Sequence, residues 1–185
     1  MGYQFKQQES LVQGVRRIAR EQMSQALLAL QNPERNQHQA IHEVRKQFKK
    51  LRGLIRLVRS GLGDEYSQIN LWYRDAGRRL SRVRDAESML ESLGKLRERF
   101  SDSAHAEMFS EFESRLLARK QRIVEEWIDL DADLKKLSGQ LEEGHRKIEN
   151  WKIKGPAGKV ISHGLQKTYQ RGAKALKDLR RCPSD

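Results

Sequence analysis

Residues 41–62 read IHEVRKQFKKLRGLIRLVRSGL, and two superposed periodicities in this stretch decide the fold. Ile41, Val44, Phe48, Leu51, Ile55, Val58 and Leu62 recur at alternating steps of three and four, the heptad seam of a helix packed in a bundle. One position further on, His42, Arg45, Lys49, Arg52, Arg56 and Arg59 repeat the same spacing, giving a second stripe about 100° around the helix. Lys46 and Lys50 widen that stripe, so residues 42–59 carry seven Lys or Arg against one acid, Glu43. At a rise of ~1.5 Å per residue the stripe runs about 25 Å, far longer than a single phosphate. A face that needs only solvation mixes signs, because like charges at i,i+4 cost ~0.2–0.5 kcal/mol each. A row of unmatched cations therefore points to an extended anionic ligand. The long stems can lie along apolar neighbours while the charged heads reach into a groove between helices.

The next segment has the same design. Ile69, Trp72, Ala76, Leu80, Val83 and Leu90 form a seam, while Arg74, Arg78 and Arg82 stack at i,i+4 with Arg79 and Arg84 beside them. A short turn at 61–64 makes the two segments an antiparallel hairpin whose basic rows face one another across a groove. Asp75 and Asp85 suit local ion pairing with these arginines better than catalysis. Across the whole chain, helical periodicity covers 8–31, 37–61, 65–94, 103–127, 130–152 and 158–181. The three prolines, at 33, 156 and 183, fall between these segments, where they interrupt no helix. No strand alternation competes, and the expected fold is an all-α antiparallel bundle of about six long helices.

Composition narrows the partners. The 185 residues carry 37 Lys plus Arg against 25 acids, a formal charge of +12 and a pI near 10.0, which favours nucleic acid, a phosphate polymer or a membrane surface. Residues 35–100 hold 16 basic against 8 acidic residues and residues 150–185 hold 9 against 2, while residues 107–149 hold 8 against 11. The middle of the chain therefore separates two basic regions. Cys182 is the lone cysteine, so no internal disulfide forms and a reducing, cytoplasmic setting is expected. The start, MGYQFKQQESLVQG, has no apolar core after a basic region, and no later run is long and apolar enough for a membrane span. Gly2 is followed by Lys6 where a myristoylation signal has Ser or Thr.

Catalytic signatures are absent. The chain has no Gly-rich phosphate loop ending in Gly-Lys-Ser or Gly-Lys-Thr and no His-Glu-x-x-His helix, and a non-enzymatic role with no cofactor is expected. His38 and His42 share a helix face with Glu34 one turn before, a spacing that could hold a divalent ion, but the surrounding cations disfavour another one. His42 suits a hydrogen bond to a phosphate oxygen instead. Nucleic acid is the chief competing ligand. Single-strand binders interleave aromatics with basic residues, because stacking contributes ~1–3 kcal/mol per base, whereas the stripe offers only Phe48, on its core seam.

These residues resemble the CHAD domain, an all-helical family named for its histidine. His42, Arg45, Lys49, Arg52 and Arg56 match its opening pattern of a histidine followed by basic residues three, seven, ten and fourteen positions on. RDAESMLESL at 84–93 is similar to its Arg-Asp pair followed by an aliphatic helix, and YQRGAKAL at 169–176 to its tyrosine-led basic motif, with Ala173 in place of a usual basic residue. The resemblance implies binding of inorganic polyphosphate and association with polyphosphate granules; charge and spacing imply only an extended polyanion. The main row would be His42, Arg45, Lys46, Lys49, Arg52, Arg56 and Arg59, supported by Arg78, Arg79, Arg82, Arg84, Tyr169, Arg171 and Lys174. An RNA-binding helical protein, which would show base-dependent affinity, and a helical interaction module docking an acidic partner protein are the alternatives.

The family fold is a pseudo-twofold pair of helical bundles, each with its own His and basic stripe, yet only one stripe is present. At an offset of 150 residues LVQGVRR at 11–17 aligns with ISHGLQK at 161–167, bringing Gly14 onto Gly164, Arg17 onto Lys167 and Pro33 onto Pro183. A second histidine would fall at about residue 192, beyond Asp185. The expectation is one domain over 1–185, with a first repeat and linker helices to residue 150 and the start of a shortened second repeat at 158–185. The apolar seam of its last helix would then be exposed and could pair two copies of the chain.

Overall fold

A computed structural model describes residues 3–32, 34, 36–100, 106–126 and 130–181, with the backbone alone at 82–84, 87, 106–107, 124, 126 and 130–131. The described residues contain helices and no strand: α1 (Leu11–Gln31), α2 (Gln37–Leu57), α3 (Arg59–Leu62), α4 (Glu65–Arg79), α5 (Ser81–Arg99), α6 (Ala106–Glu126), α7 (Leu130–Lys147), a 3₁₀ turn (Ile148–Asn150) and α8 (Ala157–Leu179). No helix among them is long and apolar enough to cross a membrane. Trp127, His105, Pro33, Pro183 and Cys182 lie outside the described residues.

The heptad seam of α2 is core throughout: Ile41, Val44, Phe48, Leu51 and Ile55 are buried, and Val58 and Leu62 continue the burial into α3. Each such side chain contributes about 1.5–3 kcal/mol on leaving water. Two segments read as single helices are divided. The segment at 37–61 is interrupted at Val58, whose ψ of 19° lies off the helical value, and α3 closes at Gly63 with a φ of 56° that favours glycine. The segment at 65–94 is split at Leu80. There the Gly77 carbonyl takes the Arg45 guanidinium at 2.9 Å and the Ser81 hydroxyl at 3.1 Å, and such competing donors loosen a helical ladder. The seam of α4 also differs from the sequence reading. Tyr73 is the buried aromatic and Trp72 is half-buried beside it, the two rings meeting edge-on with Phe48. The segment at 130–152 ends its α-helix at Lys147, and Trp151 follows in extended backbone, buried.

The chain forms two compact units, one of Met1–Ser24, Gln47–Arg74 and Glu143–Asp185, the other of Gln25–Lys46 and Asp75–Glu142. In the first unit α2 and α4 run antiparallel, with Phe48 against Trp72 and Tyr73 and Arg52 against Asn70. Arg16 ties α1 to the chain after the 3₁₀ turn through two hydrogen bonds to the Trp151 carbonyl. The N-terminal segment is clasped by Glu9, which accepts from Arg17 at 2.6 Å, and by Tyr3, whose hydroxyl donates to the Lys50 carbonyl at 2.6 Å. Gly14 admits the Phe5 ring, since a Cβ there would stand 2.5 Å from it. α8 reaches α2 at Gly164, where a Cβ would collide with the Leu57 carbonyl, and Lys154 N donates to the Gly61 carbonyl at 2.9 Å. In the second unit α5 and α6 pair antiparallel, with Arg97 on Glu113 at 3.0 Å and Arg119 on the Met89 sulfur.

Candidate polyanion-binding site

The first unit gathers guanidinium groups from three helices. Arg52 is half-buried on α2 and its Nε donates to Asn70 Oδ1 of α4 at 3.2 Å. Burial lowers the Arg52 pKa most, and Arg56, Arg74 and Arg171 lower it further, while Tyr66 opposes them. Arg56 of α2, Arg74 of α4 and Arg171 of α8 therefore each lie near enough to Arg52 to act on its charge. Arg56, one turn along α2, has its Nε sealed from solvent without an acceptor. Among the described residues no carboxylate pairs with Lys49, Arg52, Arg56 or Arg171. Past the interruption at Val58, Arg59 stacks over the Tyr66 ring at 4.9 Å. Folding here concentrates like charge in partly dry surroundings, which weakens stability unless an anion is present. The short α8 contact at Gly164 brings Arg171 to this cluster, because residues 164 and 171 lie two turns apart on one helix face.

Other members of the sequence-derived set are placed differently. Arg45, in the second unit, is not a free member of the row. Its side chain is only 17% exposed, and it holds the Gly77 carbonyl, Ser81 Oγ and Asp85 Oδ1, the last at 3.7 Å. It is an interhelical tie. Lys46 is exposed and reaches Glu43 at 3.3 Å, and His42 is exposed on the same helix. Arg78 and Arg79 are exposed at the end of α4, where Arg79 lines a shallow cleft with Asp133, Lys136 and Gln140 of α7. Tyr169 and Lys174 are exposed on α8, while the side chains of Arg82 and Arg84 lie outside the described residues. Two residues of the cluster's frame were missed by sequence reasoning. Asn70 is neutral and Tyr66 carries no motif, and only their place opposite Arg52 and Arg59 gives them meaning.

Helices with no strand among the described residues, a heptad-packed hairpin and a group of arginines around Arg52 define the class as an all-α helical protein with a concentrated cationic site. A family model for the CHAD domain matches residues 17–185, and the chain belongs to the CHAD domain family. No curated protein and no solved structure matches it.

Proposed function

We propose that the chain binds inorganic polyphosphate, without catalysing its turnover, at the cluster of Arg52, Arg56, Arg74 and Arg171. The observation that carries this reading is the convergence of these four groups, with the Arg56 Nε buried and lacking an acceptor. Guanidinium groups present planar donor pairs that match successive phosphate oxygens, so each contact is charge-assisted and two-pronged. Lys49 and Arg59 extend the cluster along α2 and α3, and Lys174 along α8. A phosphate polymer has no bases to stack. The Tyr66 ring, the aromatic beside the cluster, has its face against Arg59, which leaves RNA little stacking surface there. Residence in the cytoplasm, at polyphosphate granules, accompanies this reading.

The test is titration of the purified chain with long-chain polyphosphate and with single-stranded RNA of matched charge at several salt concentrations. Polyphosphate should bind more tightly. Four contacts at ~0.7–0.9 released counterions each predict a log–log salt slope of about −3. RNA binding as tight as polyphosphate, or a slope near zero, would reject the proposal.

A further inference from the structure

α4 turns one face to the arginines of α2 and α3. Tyr66, Asn70 and Arg74 follow one another at steps of four, which sets them in a line along that face. Asn70 Oδ1 accepts from Arg52 Nε at 3.2 Å, and the Tyr66 ring lies under the Arg59 guanidinium at 4.9 Å. Both contacts are neutral. An amide oxygen and a ring face attract a cation without cancelling its charge. The acids of the same helix stand off this face: Glu65 and Asp75 are exposed, each a quarter-turn or more around α4 from the line. Where a carboxylate does reach the α2 row, at Arg45, the guanidinium is drawn to Asp85 Oδ1 at 3.7 Å and serves as a tie between helices.

We infer that Asn70 and Tyr66 are positioning residues of the polyanion site, holding Arg52 and Arg59 through neutral contacts so that both keep their full charge for the ligand. The inference rests on the polyphosphate reading above and adds to it a requirement for neutrality at position 70. Such a brace has a use. Arg56, Arg74 and Arg171 act on Arg52 with like charge, and an arginine on a flexible stem answers repulsion by swinging into solvent. Fixing its rotamer before the ligand arrives removes that ordering cost from binding. Because Arg52 Nε is spent on Asn70, the two terminal nitrogens remain as the donor pair for successive phosphate oxygens. A carboxylate at position 70 would hold the same nitrogen more strongly, yet it would occupy the charge that the ligand needs.

Asn70→Asp is the decisive variant, because it keeps an oxygen for Arg52 Nε and differs in charge. Polyphosphate affinity of the full chain should fall about tenfold, the equivalent of one charge-assisted contact, and the log–log salt slope should flatten by ~0.7–0.9. The denaturant midpoint should stay at or above that of wild type, since the new pair of opposite charges is favourable in the fold. A group that only supports packing would show affinity following stability, whereas here the two move apart. Gln68→Glu, exposed on the opposite side of α4, makes the same change in net charge and should leave affinity within about twofold. Tyr66→Phe keeps the ring under Arg59 and should match wild type, while Tyr66→Leu should weaken binding about threefold. Undiminished affinity in Asn70→Asp, an equal loss in Gln68→Glu, or equal affinities in the two Tyr66 variants would overturn the inference while the polyphosphate reading stood. A wild-type chain that does not bind polyphosphate would overturn both, which keeps the two failures apart.

Discussion

Arg45 and Arg56 stand on the same helix eleven residues apart and experience opposite surroundings. Arg45 spends its donors on Gly77, Ser81 and Asp85, whereas the Arg56 Nε is buried with no acceptor and has other cations nearby. Their substitutions should therefore have opposite signs. Arg45→Ala removes a half-buried tie to Gly77 and Ser81, although the Gly77 carbonyl keeps the Ser81 hydroxyl and the exposed Asp85 is solvated, and should cost about 1 kcal/mol in denaturant unfolding, with Arg45→Lys restoring little because an ammonium cannot fork across those acceptors. Arg56→Met removes an unsatisfied donor and a repelling charge, and should raise stability by about 1 kcal/mol while weakening polyphosphate binding. Both arginines sit in one stripe of the sequence. What tells them apart is an acid forty positions away on α5, which helical spacing along α2 does not reveal.

At the scale of elements, the hairpin of α2 and α4 was legible, because the seam from Ile41 to Leu62 repeats without a fault and Gly63 supplies the stop. The division at Leu80 was not, since no proline marks it and its cause is a tertiary donor, Arg45. Tyr73 and Trp72 are neighbours 100° apart, and spacing alone chose the wrong ring for the core. The cluster itself was legible in part: Arg52 and Arg56 follow from the stripe, Arg74 from the second basic row and Arg171 from the tyrosine-led motif, while packing shows that these members of the longer set meet around Arg52. Gly164 makes that packing possible. Gly164→Ala drives a methyl into the Leu57 main chain, which has no rotamer to yield, and should cost about 1–3 kcal/mol while lowering polyphosphate affinity as Arg171 is displaced.

The N-terminal segment offers a pH test on the same scale. The Arg17 guanidinium, followed by the Lys6 backbone N–H, holds the Glu9 carboxyl at about 2, below its ordinary 4.5. The unfolded chain therefore takes up this proton first as pH falls. The stabilisation is complete above about pH 4.5 and fades toward pH 2. Wild type should exceed Glu9→Gln in unfolding free energy at neutral pH, and the gap should close through that window.

For the whole molecule, a charge of +12 on 185 residues is a standing repulsion concentrated near Arg52, and under the proposed function a bound polyanion would relieve it. Polyphosphate at a hundred times its dissociation constant should stabilise the folded chain by about 2.7 kcal/mol, and thermal unfolding should rise accordingly. The most direct test of the central claim is polyphosphate affinity after charge reversal of Arg52 and Arg56 to Glu, with helicity measured on the same sample. A loss of about a hundredfold or more with helicity unchanged is the predicted result, each lost charge-assisted contact contributing ~1.5–3 kcal/mol. Affinity within threefold of wild type in a folded double variant would contradict it and exclude this cluster as the binding site.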